Sequence, residues 1–108
     1  MTLVEETYSF SATLPREELF RLTSQIRRAA VSVPANIAEG YGRDSTGSYV
    51  SFLKTAQGSL KELETHLIIT QRPKLGSFEA AERLLSRCDA IGRMMRSLIR
   101  NLQGAAEV

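Results

Sequence analysis

Few residues in this chain combine a reactive type with a spacing that chemistry could use. Glu62 and His66 stand four apart in a segment of helical periodicity, which sets them side by side on one helix flank. Such a pair can share a proton or supply half of a metal site, but it reads equally as an ordinary surface pair. Glu62 and Glu64 are two apart, on different helix faces, and cannot act together. Cys88 falls on an apolar seam, where a cysteine behaves as a small inert hydrophobe. One Cys with one His cannot close a Cys/His zinc site, and a lone Cys excludes an internal disulfide. Gly40-Tyr41-Gly42 is no phosphate loop, because no strand precedes it and no Gly-Lys-Ser/Thr follows; it reads as a helix-ending turn. No catalytic residue, metal or cofactor is expected, and the chain is not read as an enzyme.

The remaining chemistry is charge. With 14 Lys+Arg against 12 Asp+Glu the net charge is only +2, so its distribution must carry any argument for an anionic partner. Between Leu19 and Ala38 there is no acid, yet Arg21, Arg27 and Arg28 are present. Between Ala90 and Ala106 there is again none, alongside Arg93, Arg96 and Arg100. Local pairing is available to Arg21 with Glu17, Arg83 with Glu79 and Arg93 with Asp89, each at i,i−4. Arg96 and Arg100 are four apart and repel, with no acid one turn away. Arg27, Arg28 and Lys54 also lack acids at those spacings. Such stripes suit either a phosphate backbone or the acids of another subunit. The candidates for phosphate contact are Arg27, Arg28, Arg43, Lys54, Arg96 and Arg100. Tyr41 and Tyr49 sit at or near helix ends, so no aromatic platform interleaves the basic residues. Backbone contact with RNA or DNA, salt-sensitive and largely non-specific, is expected rather than base stacking.

Helices must position these charges. From Phe78 to Gln103 the residues Ala81, Leu84, Cys88, Ile91, Met95, Leu98 and Leu102 repeat three then four apart, the seam of a bundle helix. Ser77 stands where an N-cap belongs and Gly104 where a stop belongs. Tyr49, Phe52, Ala56, Leu60, Leu63 and Leu67 make a second seam, widened by Leu53 and Ile68, with Asp44-Ser45-Thr46 offering capping oxygens. Gly58 lies on the face away from that seam, where its missing side chain can admit a neighbouring backbone. A third seam runs through Leu19, Leu22, Ile26, Ala29 or Ala30, Val33 and Ile37. It keeps phase across Pro34, so a single kinked helix is predicted from Pro15 to near Gly40. Leu3 to Phe10 form a short helix that depends on docking. The predicted helices are therefore about 3–11, 15–40, 46–70 and 78–103, an all-α, antiparallel up-and-down four-helix bundle in one domain spanning 1–108.

Length and composition agree. A chain of 108 residues with 43% hydrophobic and 24% charged residues has room for one core and no need of staples. No apolar run reaches the roughly 20 residues of a membrane span, and the acidic start is unlike a secretory leader. A cytoplasmic protein with no membrane partner is expected.

The stretch from Thr23 to Arg43, TSQIRRAAVSVPANIAEGYGR, resembles the bacterial four-helix-bundle family of 23S rRNA-intervening-sequence proteins. So do Tyr49–Lys54, Gly58–Thr65, Asp89–Gly92 and Leu98-Ile99, and the resemblance covers about residues 14 to 102. It implies an antiparallel bundle that assembles as a ring-like homopentamer. Some members are encoded inside insertions in large-subunit rRNA genes. A related branch, the accessory protein of diversity-generating retroelements, binds a reverse transcriptase and nucleic acid through a basic surface. The partners so implied are other copies of the chain, RNA or DNA, and a protein client such as a reverse transcriptase or ribonucleoprotein component. As an alternative, the arginines serve a scaffold or adaptor by meeting acids of a neighbouring subunit or client. The family's first helix usually begins further upstream, with a Trp-containing stretch that this chain lacks. A first helix this short is expected to leave part of the seam uncovered.

Overall fold

The short first helix starts at a capping box. In the computed structural model, which describes the backbone of residues 2–107 and the side chains of residues 2–104, α1 spans Leu3–Ser11. Thr2 Oγ1 accepts from Glu5 N at 3.1 Å, and Thr2 N donates back to Glu5 Oε1 at 3.1 Å. These bonds, the backbone one first, hold the Glu5 carboxyl below its ordinary pKa, so its support for α1 is present above the carboxylate range and lost as pH falls. After α1 the chain turns through a 3-10 turn at Arg16–Glu18 and a π-turn at Leu19–Thr23 before α2, Ser24–Tyr41. α3 is Thr46–Gln71 and α4 is Phe78–Glu107. Ser45 Oγ caps α3 by accepting from Ser48 N, and Ser77 Oγ accepts from Ala80 N at the start of α4, both where the sequence offered caps.

The helices pack in a square. α1 lies against α2 and α4, and α3 lies against the same two, in a molecule of 51 × 22 × 22 Å. The shared core holds Phe10, Ile26, Ala30, Leu60, Leu63, Leu67, Leu84 and Cys88, all essentially without solvent contact. Leu53, Val50 and Ile99 form a second cluster toward the opposite end.

Three sequence expectations are corrected. The predicted 15–40 helix is not regular throughout: Pro15 stands before it in extended backbone, and the π-turn holds one more residue than an α-turn. That extra residue shifts the phase, so Thr23 is buried while Leu19, expected in the seam, is exposed. Beyond it the helix does run unbroken through Pro34. Gly104 stops nothing, because α4 continues to Glu107. Ile68 does not widen the α3 seam but is about half exposed.

Gly40 has a role the turn reading missed. It lies inside α2 where that helix meets α3, and a Cβ there would sit 2.7 Å from Phe52 Cβ and 3.0 Å from Tyr49 Cδ1. Gly40→Ala must push the two helices apart and is expected to cost about 1–3 kcal/mol. Thermal unfolding checks this, with each kcal/mol lowering Tm by roughly 4–8 °C in a domain of this size. An unchanged Tm would mean that the helix ends part freely.

The core is unevenly covered. On α4 the seam residues Ala81, Leu84 and Cys88, in the half that α1 overlies, are buried. Further along, Ile91, Leu98 and Leu102 are only partly buried, as is Ile37 on α2, and Met94 is 70% exposed. Met95 and Ile99 in the same stretch remain buried, so beyond α1 the seam is thinly covered rather than open.

Candidate nucleic-acid interface

Each candidate cation takes its setting from the helix that carries it. Arg27, on α2, is not a loose surface charge. Its Nε donates to Ser11 Oγ at 2.8 Å, and its guanidinium lies 4.9 Å from the centre of the Tyr8 ring. A cation held over an aromatic face in this way is oriented by the ring's quadrupole. Its two terminal nitrogens make no hydrogen bond among the described residues. Arg28 follows on the exposed side of α2 and has no ion pair among the described residues.

Arg27 and Arg28 line one open groove of about 660 Å³ together with Tyr8, Leu19, Phe20 and Val31. The hydroxyls of Ser24 and Ser32 complete its lining, which contains no carboxylate. This corrects the expectation that no aromatic accompanies the basic residues. Tyr8 comes from α1, which spacing along the chain does not place beside Arg27. Phe20, 91% exposed in the π-turn, stands seven residues before Arg27, and that spacing, which sets two residues on one face of a regular helix, was the signal available in the sequence.

Arg96 lies on the opposite side of the square. It shares a groove between α3 and α4 with Lys61, Gln57, Gly58 and Gly92, and its Nη1 would be 3.5 Å from a Cβ at Gly92. The two glycines face this groove, and a Cβ on Gly58 would meet nothing within 4 Å. Lys61 was not singled out from sequence; it pairs with Glu64 at 3.5 Å. Arg100 and Lys54 are exposed, without ion pairs among the described residues.

Arg43 differs from the rest. Its Nη2 is 2.6 Å from Glu39 Oε1, and its guanidinium sits 4.9 Å from the Phe52 ring centre. It has a partner for its charge one turn away, and it lines neither groove. Arg93 pairs with Asp89 at 3.2 Å as its spacing predicted. The expected Arg21–Glu17 and Arg83–Glu79 pairs do not form among the described residues. Instead Arg87 makes a two-pronged contact with Glu6, at 2.7 Å for each bond, tying α4 to α1 across the chain.

The remaining reactive types stay apart. His66 Nε2 stands 3.4 Å from Glu62 Oε1, while Nδ1 is buried without a partner. Among the described residues no three His, Cys, Asp or Glu side chains gather at a metal-binding distance. Burial first, and the Glu64 carboxylate second, push the Cys88 thiol up to about 12, with Lys61 offsetting part of the effect. No described helix is long and apolar enough to cross a membrane.

The family described as 23S rRNA-intervening sequence protein matches residues 1–97. A crystal structure of a protein of unknown function from the S23 ribosomal protein family of Bacteroides thetaiotaomicron has a TM-score of 0.74. It is 21% identical, over 91% of this chain and 98% of that one, and the likeness is one of fold. Among curated proteins none matches.

Proposed function

This chain belongs to the 23S rRNA-intervening sequence protein family, and on that footing we propose that it is a non-enzymatic, homo-oligomeric helical-bundle protein that binds the backbone of RNA or DNA. The observation that carries the reading is the α1–α2 groove, where Arg27 and Arg28 meet no carboxylate. Cations left unpaired by their own chain gain most from phosphate, which Arg meets with its planar fork. Arg96, Arg100 and Lys54 extend the same chemistry over other faces, whereas Arg43 is set aside because Glu39 already neutralises it.

Self-association, part of the same proposal, would reinforce the reading by repetition. The partly exposed strip of Ile37, Ile91, Met94, Leu98 and Leu102 is apolar surface that a neighbouring subunit would cover. A ring, a pentamer by resemblance to the family, would repeat each modest patch about its axis and strengthen its field. A ribosomal-RNA-related role fits a cytoplasmic location.

The test is fluorescence anisotropy of a labelled structured RNA with the purified protein across a salt series of about 50 to 300 mM. Log K is expected to fall linearly with log salt, with a slope of about −2 or steeper when Arg27 and Arg28 both meet phosphates. No binding at the lowest salt sinks the reading. Arg96→Glu with Arg100→Glu is expected to weaken binding and flatten the slope by about one unit for each phosphate that is no longer neutralised. If that double variant instead dissociates the oligomer and leaves binding intact, these two arginines serve a scaffold's subunit contacts.

A further inference from the structure

The α1–α2 groove joins two features that backbone binding alone does not use. One is the pair of guanidiniums; the other is flat apolar surface beside them. Phe20 is 91% exposed, and Tyr8, Leu19 and Val31 are between 41% and 44% exposed around it. Phe20 is presented by the π-turn, a widened turn of the kind that recurs at functional sites. Arg27 is held in place by Ser11 and the Tyr8 ring, so its free nitrogens are pre-set before any ligand arrives. The groove's volume, about 660 Å³, falls in the roughly 300–1,000 Å³ range of small-ligand clefts.

We propose that this groove seats an unstacked base of a single-stranded nucleic acid, its ring against Phe20 and its flanking phosphates on Arg27 and Arg28. The proposal rests on the nucleic-acid reading above and narrows it from any backbone to single strands. A duplex keeps its bases stacked and offers this surface only phosphates, leaving Phe20 in water. A single strand can splay a base out onto an aromatic face while its backbone meets the cations.

The test compares three fluorescein-labelled probes by anisotropy: an oligouridine of about 12 nucleotides, its abasic counterpart and a duplex of equal length. The intact single strand is expected to bind tightest. Phe20→Ala is expected to weaken it by about 5- to 150-fold, the span of one base–aromatic stack removed, without changing duplex binding. Phe20→Trp is expected to restore it. Because Phe20 is exposed, both variants should keep the wild-type circular dichroism. Arg28→Glu should weaken single strand and duplex alike. Equal binding of all three probes, unmoved by Phe20→Ala, overturns the single-strand assignment and leaves the backbone reading standing. No binding of any probe overturns both. If Phe20→Ala changes the sedimentation coefficient but not the affinity, Phe20 belongs to a subunit contact and the proposal fails.

Discussion

Phe10→Ala is expected to remove about 3–5 kcal/mol of stability, a large share of the roughly 5–15 kcal/mol that holds a domain folded. Phe10 is 1% exposed and is the largest side chain that α1 places in the core. Its ring reaches the connection between α3 and α4, where a Cβ on Gly76 would be 3.4 Å from Phe10 Cε1. Gly76 has φ +70°, a left-handed conformation in which a side chain would also strike Thr13 and Leu14. Thr13 Oγ1 in turn accepts from Ser77 N at 2.9 Å, so one polar bond and one aromatic ring together fasten the α1 end to the α4 start. A helix of nine residues has little stability of its own, which concentrates its anchoring in these contacts. Urea unfolding followed by circular dichroism measures the loss as a lower midpoint. A change below about 1 kcal/mol would mean that the site collapses around the missing ring and that three helices carry the fold.

The second large effect lies at alkaline pH. Cys88 is fully buried, and its thiol is pushed up to about 12, chiefly by burial. In the unfolded chain the same thiol ionises near its ordinary pKa of about 8.5. The folded state thus holds a proton that the unfolded state releases. This contribution is fully present below pH ~8.5 and is lost as pH rises toward the folded value, at about 1.4 kcal/mol per unit. Urea midpoints of the wild type and Cys88→Ala across pH 8 to 11 isolate it. The alanine variant starts lower, from the cavity it leaves, but its stability should fall less steeply with pH. Parallel curves would show that the thiolate is tolerated in the fold. For the same reason, thiol reagents should label the native protein only as fast as it opens.

How much of this was legible in the chain differs by kind of feature. The seams of α3 and α4 were readable because three- and four-residue spacing is a local property, and Leu60, Leu63, Leu67, Leu84 and Cys88 are buried where that spacing put them. The caps Ser45 and Ser77 were readable because capping uses a backbone amide three residues on. The π-turn was not. It exposes Leu19 and buries Thr23 against periodicity, an exchange settled by how the chain re-enters the bundle after α1. Gly40 was misread for a similar reason, since only the approach of α3 makes a side chain there intolerable.

The candidate interface divides along the same line. Acid-free stretches of sequence marked Arg27, Arg28, Arg96 and Arg100, because an i,i−4 partner is either present in the chain or absent. The same spacing rule foretold the Arg93–Asp89 pair, which forms, and the Arg21–Glu17 and Arg83–Glu79 pairs, which do not form among the described residues. It did not foretell that Glu6 would meet Arg87, 81 residues away, or that Tyr8 would lie beneath Arg27. By itself the sequence determined α3, α4 and the main seam of each, the family, and which cations lack a local acid, the helical features being set by contacts within a turn or two. Only the tertiary structure decided that two of those cations share a groove with Tyr8 and Phe20, because that meeting depends on how α1 docks and how the π-turn rotates the chain beside it.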